Sequence, residues 1–311
     1  MVAPLTIGPG IDIGGGINID PLPVTPELML SLDASTYSNT TSGPQQNVSG
    51  TSDNVAFFPY GWPAYSAIQI GWTCVQTGAI VSAVGDGVTN LTITTVGTPF
   101  TSGSTYTFTS ANTWFDSVSN RTFILNNGVT YSGSNGGTLS FDPASGQYAQ
   151  CASSLSDLST WSVEVWHYYT GTNTGQSPCI ITEIYPGVTG QLNYFIGALD
   201  ASTTNLEAGY FNGGFQITPG GYNLTASNWY QIVGTYNGTD VKLYVNNTLV
   251  GQATATGNPP ISSQGGINIM RRWDNPEYWG GKLGIVNIYK GAFKAGDVAA
   301  SWNSKKSRFG L

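Results

Sequence analysis

The stretch WYQIVGTYNGTDVKLYVNNTLVG, residues 229–251, constrains the fold more than any other part of the chain. Val233, Thr235 and Tyr236 lead into an Asn237-Gly238 pair, after which Val241, Leu243 and Val245 alternate with polar residues. A two-residue turn of that kind accepts positive φ and matches the twist of paired antiparallel strands, so the stretch predicts a β-hairpin. Asn246-Asn247 predicts a second turn. The stretch holds no nucleophile, metal cluster or phosphate loop and is expected to be scaffold.

The rest of the composition agrees with strands. Of 311 residues, 40% are apolar and 12% aromatic but only 9% charged, and Gly, Ser, Thr and Asn abound, which favours strands joined by tight turns over helices. The length suits one large β domain or two smaller ones with a real core.

Charge is unevenly placed, because Arg121 is the only base among residues 1–241 whereas residues 242–311 hold nine bases. A long polyanion needs several cations on one face. Only Lys305, Lys306 and Arg308 resemble that, and they suit the C-terminus of a helix better, so no nucleic-acid partner is expected. Cys74, Cys151 and Cys179 form no CxxC and are expected to be buried thiols rather than a disulfide framework. No basic residue precedes the first apolar stretch and no apolar run approaches ~18 residues, so neither a standard export signal nor a membrane anchor is expected. Seven Asn-x-Ser/Thr sequons follow from composition.

The segment LTIGPGIDIGGGINID places Leu5, Ile7, Ile11, Ile13, Ile17 and Ile19 on one edge, in a loose six-residue repeat. An extended strand with one apolar edge suits pairing with another chain, so residues 1–26 are expected to be an arm for attachment or oligomerisation; a glycine-rich leader is the alternative. Pro21, Pro23 and Pro26 then make a stiff linker. A strand is expected at LMLSL. Residues 44–111 change texture and suggest a small β subdomain of four or five strands carrying an aromatic cluster, Phe57, Phe58, Tyr60, Trp62 and Tyr65. Regular strands return from Asn112, and the one convincing helix is near Ala295–Ser304, with Val298, Ala299 and Trp302 on one face.

The order of LMLSLDAS, TWFD, NNGVTYSGSNGGTLSFD, WSVEVW, the hairpin and GGKLGIVNIYKGAFKAGDVAASWNSKKSRFG resembles laminin-G-like jelly rolls of the concanavalin A-like lectin/glucanase superfamily, most of all those carried by virion proteins of tailed bacteriophages. The resemblance covers residues 27–42 and 112–311. It implies an all-β, two-sheet antiparallel jelly-roll sandwich formed by 27–43 and 112–311, with 44–111 inserted and 1–26 extended. It also implies a virion location after synthesis in the host cytoplasm, with other virion proteins reached through the arm and a homo-oligomer as the assembled form. Fold does not fix function, since this superfamily includes glycan-binding modules, hydrolases and structural decorations.

Hydrolases of the superfamily carry closely spaced acids along one strand, and glycosidic cleavage needs two carboxyl groups about 5–10 Å apart. The five glutamates Glu27, Glu164, Glu183, Glu207 and Glu277 have no partner at that spacing, and Glu164 in SVEVW reads as an outward strand residue. His167 is the only histidine and reads as a packing residue; no multi-histidine metal site can form. The glycine run at 14–16 lacks a nucleotide-binding motif. Calcium sits at the rim of many laminin-G-like sandwiches, and Asp142 in SFDPASGQY stands where such proteins have an acidic turn, but no second acid adjoins it and no cofactor is assigned.

The best contact candidate is RRWDNPEYWGG. Arg272, Trp273, Asp274, Glu277, Tyr278 and Trp279 combine flat aromatic faces with carboxylates, a mix that suits a cell-surface glycan, a protein neighbour, or packing at the end of the sandwich. The expectation is a non-enzymatic accessory protein on a tailed-phage virion, on head or tail. A glycan-binding adhesin is the alternative, and a hydrolase a more distant one.

Overall fold

The computed structural model of the chain describes residues 26–37, 113–119, 121–155, 158–184, 192–198, 205–260 and 265–311, together with seven short strands between residues 45 and 109. The apolar edge of residues 5–19, the aromatic cluster at 57–65 and Cys74 lie outside the residues whose side chains are described.

Two antiparallel sheets form a jelly-roll sandwich. The first runs in the order Thr130–Ser132, Thr138–Phe141, Trp279–Lys290, Trp161–Asn173, Asn228–Tyr236, Asp240–Val245 and Thr248–Thr254, and Glu27–Asp33 also pairs with Trp279–Lys290. The second runs in the order Phe215–Ile217, Asn205–Phe211, Leu192–Gly197, Cys179–Ile184, Gly266–Ile269, Tyr148–Cys151, Thr122–Asn126 and Thr113–Phe115. The hairpin forms, but with a longer connection than a two-residue turn gives: Tyr236 faces Val241, Gly234 faces Leu243 and Ile232 faces Val245, so residues 237–240 lie between the first facing pair. Gly238 has φ 96°, and Asn246 and Asn247 have φ 48° and 63°, so both turns use residues that tolerate the left-handed region.

Alternate residues of each strand fill the space between the sheets. Trp161 meets Tyr194 across it at 6.0 Å between ring centroids and its paired neighbour Tyr236 in the same sheet at 6.4 Å, among Val163, Val165, Ile181, Ile196, Ile232 and Leu243. The first sheet is covered on its other face too. Helix Ala295–Lys305 and the turn Lys306–Phe309 cross it, stacking Trp302 at 5.7 Å and Phe309 at 4.7 Å on Trp166. A strand buried on both faces needs no polar alternation, which is why WSVEVW and the strand Asn228–Tyr236 read as nearly continuous apolar runs. Arg308 closes this cover by pairing with Asp33 at 2.8 Å and donating to the carbonyls of Asn135 and Gly137.

The seven short strands described between residues 45 and 109 pair into a sheet of their own, where four or five strands were expected. Its strands are two to five residues long, which is where periodicity is hardest to count.

Candidate functional site

The segment from Met270 to Gly281 links the second sheet to the first at one end of the sandwich. Its backbone is pinned at both ends: Trp279 N–H donates to Met270 O at 3.1 Å, and Arg272 N–H to Glu277 O at 2.9 Å. Thr174 N–H donates to Tyr278 O at 2.9 Å, and Ser177 N–H to Glu277 Oε2 at 2.6 Å, so the neighbouring segment 174–177 holds the loop from outside. Gly175 makes this approach feasible. Its φ is 81°, and a Cβ there would stand 2.2 Å from Glu277 Cγ.

Within the loop, Arg272 pairs with Asp274 at 2.7 Å and with Glu277 at 3.4 Å, and its guanidinium lies 4.6 Å from the Trp273 ring centre. Arg271 lies 4.8 Å over Tyr148, whose ring is 6.0 Å from that of Tyr278. Asp274 is exposed; Arg272, Trp273, Glu277 and Tyr278 are partly covered. Trp273 also extends a row of rings on the second sheet, 6.4 Å from Phe195, which is 6.4 Å from Phe215, with Phe211 4.8 Å beyond. Phe215 is 46% exposed. The strand motifs gave no signal for this row, because Phe195 and Phe211 belong to runs apolar on both faces.

Trp279 does not belong to the exposed set. It is fully buried, and its Nε1–H donates to His167 Nε2 at 3.1 Å. This corrects its place among the contact residues: Trp279 pairs with Asn173 on the neighbouring strand and joins Leu283 of its own strand in the core between the sheets. His167 Nδ1 donates to the Lys282 carbonyl at 3.2 Å, which leaves Nε2 as the acceptor. Burial pushes the imidazole down to about 3, so it stays neutral and has no free nitrogen for base catalysis. Trp279→Phe is expected to keep the loop in place but leave Nε2 without a donor. The cost is about 1–3 kcal/mol, read as a fall of several degrees in melting temperature with loop binding unchanged.

The remaining candidates have structural partners. Glu164 faces outward on its strand as expected, but it is buried beneath the C-terminal helix, accepting from Trp166, Gln231, Asn287, Ser301 and Lys305. Glu183 is buried and accepts from Leu155 N–H; burial pushes it up to about 8. Asp142 caps its own turn through Ala144 N–H and Ser145 Oγ. Cys151 and Cys179 are buried free thiols, and burial raises Cys179 far above its ordinary value. Among the described residues no group of three metal-ligating side chains gathers, and no helix is long and apolar enough to cross a membrane.

With the fold and the loop in view, comparison with known families is decisive. The model for the concanavalin A-like lectin/glucanases superfamily, in its third laminin-G form, matches residues 143–299. The chain belongs to this superfamily. The match spans the whole Met270–Gly281 loop and the hairpin. No curated protein matches the chain. Among solved structures, the binding domain of paraclostridial mosquitocidal protein 1 is similar at 16% identity and TM-score 0.49, over 61% of this chain and 49% of that one. The binding domain of botulinum neurotoxin serotype D is similar at 14% identity and TM-score 0.47, over 62% and 49%. Domain 4 of an extracellular arabinanase from Geobacillus stearothermophilus, in complex with arabinotriose, is similar at 16% identity and TM-score 0.44, over 60% and 90%. The chain thus spans about half the length of the two toxin domains.

Proposed function

We propose that this chain is a non-catalytic accessory protein on the surface of a tailed-phage virion, attached through residues 1–26 and presenting the laminin-G-like jelly roll outward. The fate of the glutamates carries the non-catalytic part. Glu164 is clamped under a helix, Glu183 and Glu207 are buried in strands, and Glu277 is tied to Arg272 and Ser177, whereas a glycosidase needs two carboxyl groups free to face one cleft. The virion part is supported by the resemblance of the strand motifs and by the one-edged apolar pattern of the first 26 residues.

A second reading, a glycan-contacting adhesin of the same architecture, is favoured by one observation: Trp273 joins Phe195 and Phe215 in a part-exposed row of rings beside Arg272 and Asp274. Rings offer stacking faces and the charged pair offers hydrogen bonds to hydroxyls.

The test uses the purified full chain and a chain lacking residues 1–26, each mixed with particles that lack the protein. The full chain is expected to bind and the truncated chain to stay free while keeping its circular dichroism spectrum. Equal attachment by both sinks the arm assignment, and release of reducing sugar from a polysaccharide panel sinks the non-catalytic reading.

A further inference from the structure

The hairpin that reads as pure scaffold also walls a cavity. On the outer face of the first sheet, where the chain leaves the strand Trp279–Lys290 and turns into helix Ala295–Lys305, a cavity of about 270 Å³ is lined by Asn237, Asp240, Lys242, Tyr244, Phe293 and Lys294, among others. Asp240, Lys242 and Tyr244 alternate along one strand and therefore share this face, while Phe293 and Lys294 arrive from the crossing segment. The volume lies just under the ~300–1,000 Å³ of drug-sized sites, which suits one small molecule.

The lining divides into three kinds of group. Phe293 and Tyr244 supply an apolar floor, held by Val233 and Val298 beneath and by the Tyr289 ring 4.5 Å from Phe293. Asn237 Oδ1 is taken by the N–H groups of Thr239 and Asp240, which leaves its amide N–H₂ to face the cavity. Asp240 accepts from Gln252 and Thr254 at 3.3 and 3.2 Å, long contacts that leave lone pairs for another donor. Lys242 and Lys294 complete the lining. Among the described residues no carboxylate pairs with either ammonium, and the other charged group lining the cavity is Asp240. Two like charges at one concavity repel each other unless an anion lies between them. The chain as a whole has net charge −7, so this excess of cation is local.

We infer that this cavity is a binding site for an acidic monosaccharide, free or at the end of a glycan. The carboxylate lies between the Lys242 and Lys294 ammonium groups, one ring face rests on Phe293 and Tyr244, and the hydroxyls meet Asp240 and the Asn237 amide. The site is on the other sheet from the Trp273 row and does not depend on it. A neutral sugar satisfies the floor and the hydroxyl partners but brings the two ammonium groups no counter-charge. A small anion without a ring satisfies the ammonium groups and leaves the floor bare. An acidic sugar meets all three kinds of group at once.

The test titrates the full chain with glucuronic acid, N-acetylneuraminic acid, glucose and acetate, following amide shifts by NMR. One of the two acidic sugars is expected to shift residues 235–244 and 292–295 selectively, glucose and acetate to bind at least about tenfold more weakly, and high salt to weaken the interaction. Lys242→Gln is expected to cost about tenfold in affinity, and Lys242→Gln with Lys294→Gln to abolish the selective shifts, at unchanged melting temperature since both side chains reach solvent. Glucose or acetate binding as tightly as the acidic sugars, shifts that map elsewhere, shifts that survive the double substitution, or no shifts with either acidic sugar at tens of millimolar would each overturn the assignment. Trp273→Ala leaves these shifts unchanged if the site is independent of the ring row; their loss on that substitution also counts against it.

Discussion

Glu164→Ala is expected to destabilise the jelly roll by about 3–5 kcal/mol and to loosen the C-terminal helix first. Glu164 is fully buried and gathers donors from three strands and the helix: Trp166 Nε1 at 3.0 Å, Gln231 Nε2 at 2.9 Å, Asn287 Nδ2 at 3.1 Å, Ser301 Oγ and Lys305 Nζ at 3.1 Å. Burial alone would raise its pKa, but the Lys305 charge and these donors outweigh that, and the carboxyl stays below its ordinary value. Removing the carboxylate leaves four neutral donors and an ammonium without their acceptor. Lys305→Met does the converse and leaves a carboxylate under the helix with neutral donors only, so it too is costly. Glu164→Leu combined with Lys305→Met is expected to recover part of the loss, because an apolar pair needs no desolvated charge. Hydrogen exchange should show residues 295–309 opening before the sheets in Glu164→Ala, since Trp302 and Phe309 are held against Trp166 beside this carboxylate. Uniform exchange rates across helix and sheets, or a loss below about 1 kcal/mol, would remove Glu164 as the clamp.

The Glu164 network also marks the boundary of what the chain reveals before it folds. The hairpin and the C-terminal helix were legible because each is local: alternation about Asn237-Gly238 and a 3.6-residue spacing at Val298 and Trp302 are visible within a dozen residues, whereas the two-sheet sandwich was implied only by the resemblance to laminin-G-like jelly rolls. What lay beyond reach is contact across long sequence separations. Trp279 and His167 are 112 residues apart, so nothing in RRWDNPEYWGG shows that its last tryptophan turns inward while Trp273 stays at the rim. Glu164 and Lys305 are 141 residues apart, and an outward position on a strand reads as solvent until the helix that covers it is in place. The Lys242 cavity was hidden for a related reason. The alternation at Asp240, Lys242 and Tyr244 looks like an ordinary wet face, and only the crossing of residues 292–295 turns it into a concavity.

Raising the pH from about 6.5 to 8 is expected to destabilise the protein through Glu183, a prediction that runs against the usual behaviour of a carboxylate. Glu183 projects among Ile181 and Tyr194 toward the space between the sheets, and it accepts from the Leu155 N–H. Burial dominates that hydrogen bond and lifts the folded-state pKa from 4.5 to about 8. Below pH 4.5 the group is protonated whether the chain is folded or not, and its contribution is fully present. Between 4.5 and 8 the unfolded chain releases the proton while the folded chain keeps it, so the unfolded state gains and stability falls with rising pH, by at most about 1.4 kcal/mol per unit. Over the whole window the loss reaches roughly 4–5 kcal/mol, an upper bound because water reaching the end of the sandwich would ease the charged form. Glu164 acts with the opposite sign and in another window: its lowered pKa adds stability above about 4.5 that is lost as pH falls through the folded value. His167 opposes Glu183 up to pH 6.5, because its folded pKa of about 3 leaves only the unfolded chain holding that proton, so stability is nearly level from about 4.5 to 6.5 and falls above it. Denaturant midpoints measured at half-unit steps should be level from pH 5 to 6.5 in the parent chain, where His167 offsets Glu183, and then fall from 6.5 to 8, a window in which Glu183→Gln, which keeps the shape and cannot ionise, stays nearly flat. A parent curve that is level or rising across that window, or a Glu183→Gln curve with the same slope as the parent, rules out Glu183 as the titrating group.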